Sequence, residues 1–205
     1  MAALLFPAFA AVKRHAIINR AETEMAQIET AIDRYKAAYG FYPPSNTNTF
    51  NDVIWARTNQ LYFELSGTTN NGAFFQTLEN SAQVTPNIVS STFGVGGFIN
   101  CNKSGMSEDT PTAKNFLPDL KPNQIATLFT NADGSVVNII VGSDDSYSPL
   151  GTTPQLQGVN PWRYNSYNPV NNPGAYDLWL QVVISGKTNL ICNWSKQVQI
   201  NAPLP

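Results

Sequence analysis

A helical pattern of 38 residues at the amino end constrains this chain more than any other feature. From Ala2 to Tyr39 only Pro7 interrupts the pattern. Apolar residues recur there at spacings of three and four, which places them on one face of a helix: Ala21, Met25, Ile28, Ile32, Tyr35 and Tyr39. Such a helix would extend about 57 Å at 1.5 Å per residue, longer than a domain of this size is wide. Part of the helix is therefore expected to project.

The end of the helix is marked by glycine and proline. Gly40 suits the left-handed position that follows a helix, and Pro43–Pro44 prevent a restart. Near the amino end, Pro7 is expected to kink the helix, because its ring clashes with the preceding turn. Arg20 and Glu24 lie four residues apart and are expected on the solvated side, where opposite charges can meet.

The first 12 residues, "MAALLFPAFAAV", carry no charge and are followed by Lys13-Arg14. A membrane-spanning helix needs about 20 apolar residues, so this stretch is too short to span a bilayer. One interpretation is that the chain begins inside a longer hydrophobic segment. The alternative is a native start whose apolar end packs on its own domain.

Composition favours one domain outside the cytoplasm. The 205 residues are 42% hydrophobic, which suits a single medium domain with an appended helix. Charged residues make up 13%, below the roughly 25% of ordinary globular domains, as expected for a loop-rich extracytoplasmic β protein. The net charge is -2 and the 12 basic residues form no cluster beyond Lys13-Arg14, which argues against nucleic acid as a partner.

Few residues offer chemistry, and we expect no enzyme. With His15 as the single histidine, a zinc site lacks ligands. Histidine-dependent nucleophilic catalysis would rest wholly on His15, which is far in sequence from the cysteines and the loop serines. The adjacent Asp144 and Asp145 are weak calcium candidates, and a solvated turn is the commoner role for such a pair. Cys101 and Cys192 form either one disulfide or two buried thiols, and the sequence leaves both open.

The remaining chain predicts antiparallel strands. Two hairpins are expected late in the sequence, "ATLFT" with "SVVNIIVG" around "NADG", and "YDLWLQVVI" with "TNLICNWS" around "SGK". The proline-rich stretch between them, residues 160–176, reads as a loop. Residues 45–124 give weak signals, with short helical stretches and a strand pair within 83–99. The expected fold is α+β, with the long helix in 1–44 and a globular head in 45–205.

Taken together, four motifs resemble the type IV pilin-like family, closest to the major pseudopilins of type II secretion systems. They are "AALLFPAF", "KRHA", "AETEMAQIETAIDRYKAAYGFYP" and "NPWRYNSYNP…GAYDLW". The resemblance implies a long amino-terminal helix packed on a small antiparallel sheet. It assigns assembly contacts to the stem residues Leu4, Leu5, Phe6, Pro7, Phe9 and Val12, and helix-to-head packing to Met25, Ile28, Ile32 and Tyr35.

The resemblance also implies a non-enzymatic filament subunit without a cofactor. Its partners would be copies of itself in a helical filament, other pseudopilins, an inner-membrane assembly platform and the membrane around the stem. Its location would be the bacterial inner membrane with a periplasmic head, or an extracellular filament. The family has a calcium loop after "DLW", which adds Asp177 to the calcium candidates, but here that loop is not rich in aspartate and glycine.

A second hypothesis is a minor pilin or adhesin-like module that binds polysaccharide through exposed aromatic loops. Its expected contact residues are Trp162, Arg163 and Tyr164.

Overall fold

The computed structural model describes residues 5–46, 58–103, 111–143 and 158–203, and for residues 5–10 it describes the backbone only. The helices in these ranges are α1 (Leu5–Tyr39), α2 (Leu61–Ser66) and α3 (Pro86–Phe93). The strands are β1 (Thr68–Asn70), β2 (Phe75–Thr77), β3 (Gln83–Val84), β4 (Cys101–Lys103), β5 (Ile125–Thr130), β6 (Val136–Ile140), β7 (Arg163–Asn165), β8 (Asp177–Ile184), β9 (Lys187–Cys192) and β10 (Gln199–Ile200). The fold is α+β, as the sequence predicts.

The carboxyl-terminal sheet has the strand order β10-β9-β8-β7, and all its pairs are antiparallel. Its β8–β9 hairpin confirms the second predicted hairpin, and the β5–β6 pair confirms the first. Side chains alternate across β8, so Leu178 and Leu180 join the main core, whereas Trp179 packs with Leu190 and Cys192 in a second apolar cluster on the other face. This sheet therefore has apolar residues on both faces.

The middle of the chain differs from the prediction in two ways. The expected strand pair within 83–99 is wrong, because β3 is followed by α3, which starts at Pro86 and ends at a left-handed Gly94. The sheet β3-β2-β1-β4 also contains one parallel pair, β1 with β4, so the fold is not wholly antiparallel. Outside this middle region, the stretch 160–176 also differs from the prediction, because β7 occupies part of the expected loop.

The apolar face of α1 packs on the head as predicted. Ile28, Ile32 and Tyr35 have no exposed surface, while Met25 and Tyr39 are half-buried and touch the same core. The helix contacts β8, β9 and α2. Fully burying a large apolar side chain contributes about 1.5–3 kcal/mol, so this face anchors the helix firmly in the head.

Aromatic and backbone contacts fix the turn that follows α1. Gly40 has φ +84°, and its N–H donates to the Lys36 carbonyl at 2.8 Å, which confirms the predicted helix end. The Tyr42 ring meets Tyr176 edge-on at 5.0 Å. The Tyr164 hydroxyl donates to the Pro43 carbonyl at 2.7 Å. The chain thus leaves the helix in one fixed direction.

Candidate functional site

The amino end of α1 extends beyond the head. Val12 is 67% exposed, and Lys13, His15 and Ala16 are also exposed. Among the helix residues whose side chains are described, from residue 11 onward, Ile18 is the first that is buried. Of the predicted stem, Leu4 lies outside the described residues, as do the side chains of Leu5, Phe6, Pro7 and Phe9. The backbone is helical through Pro7, and the kink there stays a prediction. In the part of the chain described, no helix is long and apolar enough to cross a membrane.

A hydrogen bond fixes α1 where it enters the head. Arg14 Nη2 donates to Asn189 Oδ1 at 3.0 Å. Asn189 is buried in β9, and its Nδ2 donates to the Lys187 carbonyl at 3.0 Å. The side-chain amide is thereby held in one orientation, with its oxygen towards the helix. Arg14 thus links the helix to the β8–β9 hairpin.

Glu24 corrects the expectation of an outward, solvated side chain. It is 6% exposed and lies within the buried face of α1, close to the residues that follow β6. Its carboxylate accepts hydrogen bonds from the Ser143 N–H at 3.2 and 3.3 Å and from the Ser143 hydroxyl. The charge is tolerated in this face because polar donors meet it there. Glu24 therefore attaches the chain at residue 143 to the helix.

A second buried carboxylate, Glu64 of α2, has no exposed surface. Its Oε2 accepts hydrogen bonds from the Tyr35 hydroxyl at 3.0 Å and the Asn100 N–H at 3.1 Å, and its Oε1 accepts the Ile99 N–H at 3.0 Å. The Asn100 side chain extends the network, because its Oδ1 accepts the Tyr39 hydroxyl at 2.8 Å. Two tyrosines of α1 are thus tied to the head through polar groups as well as through packing.

Burial dominates the electrostatics of this network. It raises the pKa of the Glu64 carboxyl above its ordinary value, although hydrogen bonds from Ile99, Asn100 and Tyr35 act in the opposite direction. Burial, and then the neighbouring Glu64, raise the pKa of the Tyr35 hydroxyl. Through these donors the Glu64 carboxyl group links α2 to α1 and to the two residues just before β4.

Asp177, the first residue of β8, holds the preceding loop through backbone hydrogen bonds. Its carboxylate accepts the N–H groups of Val170 at 2.8 Å, Asn171 at 2.9 Å and Asn172 at 2.9 Å. These three N–H groups converge on the carboxylate and hold the loop at residues 170–172 against the start of β8. The calcium role of Asp177 stays a prediction.

The other calcium candidates, Asp144 and Asp145, lie outside the described residues. Within the ranges that are described, histidine, cysteine and acidic side chains form no group of three or more that could hold a metal ion.

The two cysteines are unbonded thiols, so the disulfide alternative is wrong. Cys101 lies in β4 within the main core, whereas Cys192 lies in β9 within the second cluster, and each is 2% exposed. Burial raises the pKa of both thiols, which makes the reactive thiolate scarcer. Both cysteines act as small core residues.

The expected polysaccharide-binding residues are buried, which corrects their assignment to an exposed loop. Trp162 is 1% exposed, and Arg163 and Tyr164 are fully buried. Pro161 comes before β7 and so leaves its pairing with β8 intact. In the following loop the exposed large hydrophobic side chains are Tyr167 and Val170, at 71% and 66%. No feature of the "WRY" triplet distinguishes a buried strand from an exposed loop.

The described residues thus form a head that packs around the carboxyl half of α1, while the side chains of residues 11–16 of the same helix are largely exposed. Sequence periodicity locates the packing residues, but it places Glu24 on the solvated side and does not indicate the roles of Glu64 and Asn100. Searches against protein-family models, curated proteins and solved structures returned no match for this chain.

Proposed function

We propose that this protein is a structural subunit of a type IV pilin-like filament, closest in kind to the pseudopilus of a type II secretion system. In this proposal the amino end of α1 lies in the bacterial inner membrane before assembly. The same end then packs against other subunits in the filament. The head supplies the outer surface, and the partners are further copies of the chain, related pseudopilins and an assembly platform.

The observation that carries the proposal is the division of α1. Its 35 residues form one helix, of which the carboxyl part belongs to the core of the head and the amino part lies outside it. Residues 11–16, which precede Ile17 and the buried Ile18, rise about 9 Å along the axis. Val12, at 67% exposed, is an apolar side chain of this end that the head does not cover.

The contacts that anchor α1 in the head support a role in which mechanical force on the stem is transmitted to the head. Polar contacts join the helix to the head at Arg14, Glu24, Tyr35 and Tyr39, in addition to the apolar face. A subunit that polymerises through its stem needs this attachment, because every contact made by the stem must be passed to the head. The alternative, a polysaccharide-binding module, is not supported by Trp162, Arg163 and Tyr164, because these residues are buried.

The test compares two substitutions that differ in position alone. Val12→Asp and Val170→Asp introduce the same charge at sites that are 67% and 66% exposed, one on the stem and one on the head. Surface filaments of the producing cells are sheared and counted by negative-stain electron microscopy. We expect Val12→Asp to abolish filaments and Val170→Asp to retain them, with melting temperatures of both purified proteins within a few degrees of wild type.

The proposal fails if wild-type cells assemble no filament that contains this protein. It also fails if Val12→Asp assembles as well as Val170→Asp. A large drop in the melting temperature of Val12→Asp would show that the stem belongs to the monomer's own core.

A further inference from the structure

Charge is distributed unevenly along this chain. Residues 1–21 contain Lys13, Arg14 and Arg20 and no acidic residue. Residues 178–205 contain Lys187 and Lys196 and again no acidic residue. The stretch between them, 22–177, holds all fourteen acidic residues and the other seven basic ones. An overall charge of -2 thus conceals two acid-free basic segments at the ends of the chain.

The fold brings these two segments together. α1 packs on β8 and β9, and Arg14, near the amino end of the helix, donates to Asn189 at 3.0 Å. One groove is lined by Met25 together with Ile191 and Cys192, so β9 runs from Cys192 back towards the amino end of α1. Two residues beyond Asn189, Lys187 lies about 7 Å further in that direction. It is exposed beside the turn that joins β8 to β9.

Lys13, Arg14 and Lys187 therefore share the end of the head from which the stem emerges, and we call these three residues the basic pole. Lys13 and Lys187 are exposed, and Arg14 is half-buried. The first acidic residue along α1 is Glu22, about 12 Å from Arg14 along the helix axis. The β8–β9 hairpin adds no acidic residue between Leu178 and Cys192.

Along α1 an exposed apolar side chain is followed directly by the cationic residues of the basic pole, and this arrangement matches the acyl region and the phosphates of a bilayer. Val12 is exposed directly beside Lys13, and the sequence before it carries no charge. At a membrane surface, cationic side chains bind lipid phosphates while adjacent apolar residues enter the acyl region. Positive charge attracts anionic lipids more strongly than zwitterionic ones, and each lysine or arginine near such a surface contributes about a fivefold gain in binding.

We propose that the basic pole docks the head on the surface of an anionic phospholipid bilayer, with Lys13, Arg14 and Lys187 at the level of the lipid phosphates. The inference deepens the proposed function and rests on it, since it concerns the subunit while it is still in the membrane. It also fixes the orientation of the head, because contacts on both α1 and the β8–β9 hairpin prevent it from tilting freely about the stem.

The test measures binding of the full chain to vesicles by co-sedimentation. One set of vesicles is pure phosphatidylcholine, and the other contains 30% phosphatidylglycerol. The test variant is Lys13→Gln with Lys187→Gln. The matched control is Lys114→Gln with Lys121→Gln, which removes two exposed lysines elsewhere on the head and changes the net charge equally. Arg14 is left unchanged, since it also holds the helix.

We expect tighter binding to the anionic vesicles and a fall in that binding as salt rises. The basic-pole variant should lose about 25-fold in affinity for the anionic vesicles, and the control should stay within about twofold of wild type. Binding that is equal for the two vesicle types would overturn the inference, as would equal losses in the two variants. Equally tight, lysine-dependent binding to polyglutamate would overturn the assignment to lipid.

The vesicle assay and the filament assay distinguish failure of the docking inference from failure of the proposed function. If lysine-dependent binding is absent while filaments form, the docking inference is wrong and the proposed function stands. If binding occurs but producing cells make no filaments, the proposed function is wrong and the membrane contact remains a property of the monomer.

Discussion

Replacing Ile28 by aspartate tests whether the buried face of α1 holds the head together. Ile28 has no exposed surface, so the substitution loses about 1.5–3 kcal/mol of apolar burial. The new carboxyl group has no partner in the apolar face, which adds about 1–3 kcal/mol or more. The expected loss is thus about 3–6 kcal/mol, a large fraction of the 5–15 kcal/mol that stabilises a typical domain.

The matched control is Ala26→Asp, two residues away on the exposed side of the same helix. It introduces the same side chain and should cost about 0.7 kcal/mol or less through helix propensity. Urea unfolding followed by tryptophan fluorescence measures both variants. With a slope of about 2 kcal/mol per M, the midpoint should fall by about 1.5–3 M for Ile28→Asp and by less than about 0.4 M for Ala26→Asp. Equal shifts would mean that the helix presents another face to the head.

Three further results are expected. Glu24→Ala should destabilise the head by about 1–3 kcal/mol in urea unfolding, because the Ser143 donors lose their acceptor, whereas the exposed Asp33→Ala should stay within about 0.5 kcal/mol; equal losses would contradict the burial of Glu24. The raised pKa of Glu64 means that its ionisation disfavours the folded state. Wild type should therefore lose stability relative to Glu64→Gln as pH rises above the ordinary glutamate value of about 4.3, and a parallel pH profile for the two proteins would contradict this. Mass spectrometry after alkylation of the unfolded, unreduced protein should find two modified thiols, and a mass that shows a bond between them would refute the buried-thiol assignment.

Sequence periodicity predicts the parts of this fold that are stabilised by one-sided burial. The α1 face and the β8–β9 hairpin follow from residue spacing, because apolar residues there must leave water together. Gly40 and Pro43 likewise mark the end of the helix through backbone restrictions that act locally. These features depend on neighbours in the sequence, so the sequence alone is sufficient to find them.

The buried carboxylates could not be predicted in the same way. Glu24 and Glu64 are placed in the interior by donors at Ser143, Ile99 and Asn100, which are distant in sequence. A helical spacing rule treats every glutamate as solvated, since it contains no information about donors supplied from elsewhere in the fold. Trp162 shows the same limit, because the short strand that follows it is defined by pairing with β8 rather than by its own composition.

The spread of contacts along α1 has a mechanical consequence. Its polar attachments at Arg14, Glu24, Tyr35 and Tyr39 are distributed over about 37 Å of helix axis, with the apolar face between them. Tension applied at the amino end acts parallel to this seam, so it loads the attachments together in shear and does not peel them apart one after another. The helix should therefore withstand axial pulling far better than a sideways pull at Tyr39, where the terminal contacts would open first.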